Sequence, residues 1–225
     1  MQSNTLMEKI YITLCTLFTV LLIVVNFIYQ KFVYLPVLPF HTFELSVGVI
    51  FYPLTFLITN LIAEFYGKAK AKFCIRLALT MSISVSLILM LMNKLDATSW
   101  SKLDNHLFNK VFGMYSITLV GSLIANYTAQ LVDINLYLLI RKLTGDKYLF
   151  LRSLSSAISL FIDTVIAVTF ITISGDVIPY SQMLPLIFNS YLFKLFFVIV
   201  TIPLFYLLVY LIRNILAKGG ERVPV

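Results

Sequence analysis

Charged residues are scarce in this sequence. Only 12% of its 225 positions are Asp, Glu, Lys or Arg, whereas 60% are hydrophobic. A water-soluble domain carries about twice that charged fraction, so there is too little polar surface here to cover a globule in water. The excess apolar surface must face lipid. Glycine and proline are sparse too, and no low-complexity linker or soluble domain interrupts the chain, so a single membrane domain over 1–225 with short tails is expected. The two cysteines, Cys15 and Cys74, lie in or beside apolar runs far apart in sequence, which is no disulfide framework. The two histidines, His41 and His106, fall in connections and have no acidic cluster beside them, so no metal site or cofactor is expected. A phosphate-binding loop and a nucleophile–base constellation are missing as well, which argues against nucleotide hydrolysis and against an enzyme.

What the chain does have is long apolar runs. A helix needs about 20 mostly apolar residues to cross the hydrocarbon core. Six stretches qualify: Ile10 to Tyr29, Phe43 to Phe65, Phe73 to Met92, Met114 to Ile140, Leu154 to Ser174 and Leu186 to Ile212. The first follows Lys9 but is too long for a signal-peptide core and lacks a small-residue cleavage pattern, so it is expected to be retained. The fold expected is an all-α integral membrane protein, a six-transmembrane-helix bundle.

The net charge of +7 in a soluble protein would suggest nucleic acid. Here the basic residues cluster between apolar spans, so they are read as setting orientation and no nucleic-acid partner is expected. Lys68, Lys70, Lys72 and Arg76 follow the second span, and Arg141, Lys142, Lys147 and Arg152 follow the fourth. Arg213, Lys218 and Arg222 follow the sixth. The alternate connections hold only Lys31, or no basic residue, or Lys94, Lys102 and Lys110 mixed with Asp96 and Asp104. Both termini are therefore expected in the cytoplasm. Within the longer connection, Trp100, Leu103, Leu107, Phe108, Val111 and Phe112 recur at helical spacing, which fits either an interfacial amphipathic helix or a packed loop.

Ionisable groups at membrane depth are costly unless paired or hydrated, so they mark function by default. Four stand out: Glu64, Asp133, Asp163 and Lys194. Phe56, Asn60 and Glu64 share a helical face just after Pro53, which removes a backbone donor. Glu64 could also reach Lys68 at the next turn. Asn126, Gln130, Asp133 and Tyr137 form a stripe along the fourth span. Gly121, Ala125 and Ala129 form an adjoining small-residue stripe that could serve intrachain packing or a homodimer. Ser156, Ser159 and Asp163 share a face in the fifth span, with Thr164 beside them. Lys194 could neutralise Asp133 or Asp163 in a buried pair, or leave a carboxylate free for substrate or proton. An intramembrane aspartyl protease is disfavoured, because no Gly-x-Gly-Asp pattern accompanies either aspartate.

Four segments carry a family resemblance. They are YPLTFLITNLIAEFYG (52–67), GSLIANYTAQLVDINLYLLIRK (121–142), LRSLSSAISLFIDTVIAVTFITISG (151–175) and YLFKLFFVIVTIP (191–203). In this order they resemble the bacterial queuosine-precursor transporters, the vitamin-uptake-transporter-like family. Asn60 stands where members often carry aspartate. The resemblance implies a secondary transporter of the bacterial inner membrane that imports queuine or another 7-deazaguanine base for transfer-RNA modification. In helix count and size the family resembles the substrate-binding subunits of energy-coupling-factor importers. The alternative is thus a binding subunit of an ATPase-coupled vitamin or nucleobase importer. A guanine-like edge offers adjacent donors to one carboxylate, which Asp133 or Asp163 could supply. Asn126, Gln130 or Asn60 could donate to the ring carbonyl, and Phe56, Tyr127, Tyr137 or Tyr191 could stack on the ring. Glu64 is the remaining candidate for a cationic substituent.

Overall fold

A computed structural model describes residues 6–38, 41–113, 115–144, 149–174 and 178–218. Met114, Lys147 and Arg222, and the side chains of His41 and Arg152, lie outside the described residues. The elements are α1 (Leu6–Ile28), β1 (Phe32–Leu38), β2 (His41–Ser46), α2 (Val47–Phe51), α3 (Pro53–Met92), α4 (Asn105–Phe108), α5 (Tyr115–Thr144), α6 (Leu149–Ser174) and α7 (Tyr180–Lys218). Among the described residues, five helical stretches are long and apolar enough to cross a membrane, and the longest is the 46-residue run Val47–Met92.

That run would be about 69 Å long if straight, more than twice a hydrocarbon core of about 30 Å. It is not straight. Gly67 has φ 76° and ψ 176°, a backbone conformation that is essentially glycine-only. Four contacts show what the break does. Gly48 lies against Val25 and Tyr29 near the end of α1, and the Tyr66 hydroxyl donates to the Met7 carbonyl near its start. The Tyr11 hydroxyl donates to the Lys70 carbonyl, and Leu89 joins Phe27 and Tyr29 around Leu123. The chain therefore runs down α1 from 48 to 66 and back up from 70 to 89. Gly67 is the point of a hairpin whose two arms are antiparallel.

The first arm is the centre of the bundle. Residues 55–65 are all buried, because α1, the second arm, α5, α6 and α7 surround it. In contrast α1 buries a single stripe, Cys15, Phe18, Leu22 and Val25, and exposes Ile12, Leu17, Val20 and Val24. That spacing is one helical face, and the outward face is apolar because its solvent is lipid. Helix α5 runs parallel to the first arm, α6 antiparallel, and α7 parallel again, as their partners below show. Met7 and Arg213 accordingly sit at the same end of the bundle, near Tyr66 and Glu64.

The structure decides three readings that the sequence left open or coarse. The fold is mostly helical, as expected, with one two-stranded antiparallel hairpin added in the connection after α1; Phe43 lies in its second strand, so the second span begins after it. Phe43 and Leu45 turn inward, Phe43 onto the Phe193 ring, while Thr42 and Glu44 face out. The 93–113 connection forms no continuous amphipathic helix: only Asn105–Phe108 and a π-helical turn, Asn109–Gly113, are regular, and Trp100 is 82% exposed. Finally, Glu64 does not depend on Lys68, because the chain reverses at Gly67 between them.

Candidate functional site

Pro53 opens α3, and its missing N–H interrupts the backbone ladder next to Tyr52, the joint between α2 and α3. The Tyr52 carbonyl is taken by the Thr55 hydroxyl at 2.7 Å. The Tyr52 side chain points into the bundle, where its hydroxyl donates to Asp163 Oδ1 at 2.6 Å and accepts from Asn126 Nδ2 at 2.8 Å. Lys194 Nζ donates to Asp163 Oδ2 at 2.8 Å and to the Thr164 hydroxyl at 2.9 Å, and lies 4.7 Å from the centre of the Tyr52 ring. The α2–α3 joint and three helices, α5, α6 and α7, thus contribute to one buried node. Its charge is balanced, and each carboxylate oxygen of Asp163 has a donor.

A second node lies further along the first arm. Asp133 Oδ1 accepts from the hydroxyls of Ser155 at 2.7 Å and Ser156 at 3.1 Å, and Asn60 Nδ2 donates to the Ser156 hydroxyl at 2.9 Å. Gln130 bridges to the same arm, accepting from the Thr59 hydroxyl at 2.8 Å and donating to Thr55 at 3.3 Å. The third node closes the end of the bundle near Gly67. Glu64 accepts from the Tyr137 hydroxyl at 2.9 Å and faces Arg141 and Arg213, each 3.5 Å away. Arg141 also donates to the Glu64 carbonyl at 3.2 Å.

A cavity of about 100 Å³ lies between the first node and the β-hairpin end, room for several waters or a small ring. Asp163, Lys194, Tyr52 and Thr164 form its polar wall, while Val25, Val168, Ile171 and Leu186 are among its apolar lining. Asn26, Ser46, Ser122 and Ser190 add polar groups. A smaller cavity, about 20 Å³, sits deeper, beside Phe56, Asn60, Tyr137 and Ser156.

The candidates picked from sequence thus separate into groups. Asp163 and Lys194 meet at the larger cavity's wall, with Asn126 behind it on the Tyr52 hydroxyl; Asp133, Asn60 and Gln130 form the middle layer; Glu64 and Tyr137 close one end. Phe56 stacks edge-on against Tyr52. Tyr127 packs at the margin of the main core and Tyr191 against the outward-facing Phe161, and neither lines these two cavities. Tyr52 was not picked out from sequence. It had a signal, since an aromatic hydroxyl one residue before a membrane-depth proline sits where the backbone ladder is broken.

Long apolar helices that enclose an ion-paired polar node beside a mostly apolar cavity are the architecture of a multi-pass membrane protein. A family model described as "Putative vitamin uptake transporter" matches residues 46–208, from the hairpin's second strand to late α7. The chain belongs to this vitamin uptake transporter family. No curated protein and no solved structure matches it.

Proposed function

We propose that the chain imports a queuosine precursor, queuine or another 7-deazaguanine base, across the bacterial inner membrane. The observation that carries this reading is the Asp163–Lys194 pair on the cavity wall, an acceptor and a donor 2.8 Å apart. A guanine-like edge presents a carbonyl, then a ring N–H, then an amine. Ammonium to carbonyl and carboxylate to N–H and amine satisfy it in that order, with charge-assisted hydrogen bonds. Tyr52, held by Asn126, offers a ring face on the same wall. Asn26, Ser46 and Ser122 are then the partners of the substituent that distinguishes one 7-deazaguanine from another.

Taking the arms of α3 as separate crossings gives six, with both ends of the chain on the side rich in Lys and Arg, the cytoplasm. The larger cavity then belongs to the outward half. Glu64 with its two arginines shuts the inward half, and transport requires this latch to part while the outer cavity closes.

The test is rescue. A cell that can neither make nor import the precursor receives this protein and each base in turn, and queuosine in its transfer RNA is measured. Rescue by at least one base, lost in Asp163→Asn and Lys194→Met at equal membrane abundance, is the expected result. No rescue by any base would sink the substrate assignment. Purified protein that binds a base but does not turn over in liposomes would mark a binding subunit that needs an ATPase.

A further inference from the structure

Two of the three intramembrane carboxylates are matched by cations. Asp163 holds Lys194, and Glu64 holds Arg141 and Arg213. Asp133 is different. It is 0% exposed, and among the described residues no ion pair reaches it. Ser155 and Ser156 donate to Oδ1, whereas Oδ2 has no hydrogen-bond partner, and neither has Oδ1 of its neighbour Asn60. A buried charge costs several kcal/mol, and two neutral hydroxyls do not cancel it.

Among the described side chains no charged neighbour is spare. On the first arm of α3 the nearest is Glu64, one turn beyond Asn60 and already held by its arginines. On α6 the nearest described one is Asp163, about two turns from Ser156, while the Arg152 side chain, one turn before Ser156, lies outside the described residues. On α7 it is Lys194, whose bonds go to Asp163 and Thr164. Where α1 meets α5 the polar contact is neutral, Ser122 to Asn26. None of these charged groups reaches Oδ2, and a cation from outside would match it. The cavity beside Asn60 and Ser156 is about 20 Å³, enough for roughly one water. Among the described residues no three His, Cys, Asp or Glu side chains converge as metal ligands. A proton needs no coordination shell, and on Oδ2 it supplies a donor where two acceptors, Oδ2 and Asn60 Oδ1, are left without one.

We propose that Asp133 is a proton-binding site and that one proton travels on its Oδ2 with each base imported. The coupling half of this proposal rests on the import reading above. The proton comes from the outer aqueous phase and bonds to Oδ2, which turns an unmatched acceptor into an O–H donor. It leaves to the cytoplasm through the water-sized cavity beside Ser156, and Asp133 returns to the carboxylate. No bond of the base changes. A neutral base moving with one proton carries one positive charge inward.

The test uses the purified full chain in liposomes loaded with a pH dye, with the neutral cyano-substituted 7-deazaguanine as probe. With the membrane potential clamped at zero, one-to-one coupling accumulates the base about tenfold per unit of inward acid gradient. Asp133→Asn is expected to bring accumulation down to about onefold, to abolish base-driven acidification, and to keep exchange of labelled for unlabelled base. Infrared spectra without any base should show a protonated-carboxyl C=O band in the wild type that is missing from Asp133→Asn. Wild-type vesicles that fill only to equilibrium, or that respond to a sodium gradient instead, overturn the proposal and leave import standing. An acid band untouched by the substitution overturns it too. Vesicles that take up none of the 7-deazaguanines overturn the import reading instead, and the infrared band then decides the proton site by itself. If Asp133→Asn fails to fold, the wild-type flux still decides coupling.

Discussion

Lys194→Met removes the cation from the buried node while keeping a long apolar stem in α7. The substitution deletes the 2.8 Å bond to Asp163, the 2.9 Å bond to Thr164 and the cation–π contact over Tyr52. Both partners of the pair are about 5% exposed, so solvent cannot replace the missing charge. Breaking such a pair from one side costs about 3–5 kcal/mol, because the remaining charge is buried alone. At about 2–4 °C per kcal/mol for a chain of this size, the unfolding midpoint should fall by roughly 6–20 °C. The molecule carries its own reporter: Cys15 and Cys74 are free and buried, so a thiol-reactive dye reads unfolding in detergent. Asp163→Leu in the same chain removes the stranded carboxylate, and the double variant should recover most of the lost midpoint while transport stays abolished. A double variant as unstable as Lys194→Met would refute the reasoning, since the penalty would then not be an uncompensated charge. An unchanged midpoint in the single variant would do the same.

Four further outcomes are expected. Tyr52→Phe deletes the donor to Asp163 and should weaken base binding by about 1–3 kcal/mol, roughly 5- to 150-fold, measured with labelled base on purified protein. Gly121→Ala drives a Cβ into the Phe170 ring, so it should lower the unfolding midpoint, and Phe170→Ala in the same chain should restore part of the loss. Gly67→Ala meets no neighbouring atom and costs only backbone strain, about 1–3 kcal/mol, visible as a midpoint shift of a few degrees. Glu64→Gln releases both arginines at the inner end. A cysteine placed at Thr201, which lines the deeper cavity, should then react faster with a membrane-impermeant maleimide applied from the cytoplasmic side.

The long apolar runs were legible because a membrane demands length, and length survives any uncertainty about neighbours. Asn60, Asp133, Asp163 and Lys194 were legible for a related reason, since polarity at depth has few bland explanations. Partner choice was not. Lys194 could have met either aspartate, and only the antiparallel pairing of α6 and α7 puts Asp163 opposite it. Glu64 and Lys68 look like neighbours at helical spacing, but that rule holds within one helix, and Gly67 ends the first. The β-hairpin did leave a trace in Thr42-Phe43-Glu44-Leu45, an apolar–polar alternation of period two that the adjoining apolar run conceals.

The latch at Glu64 also bears on how the molecule is made. Its arginines lie 77 and 149 residues further along the chain. At synthesis rates of about 5–20 residues per second, a nascent Glu64 waits on the order of 4–15 s for Arg141 and 7–30 s for Arg213. Throughout that interval the first arm carries an unmatched carboxylate and an unmatched Asn60, and it cannot rest in lipid by itself. It has to be sheltered in the insertion machinery, or held short of full depth, until α5 to α7 arrive. Ribosome stalling between α3 and α5 should therefore trap a species in which Glu64 still faces water, so the completion of this fold is timed by translation as well as by packing.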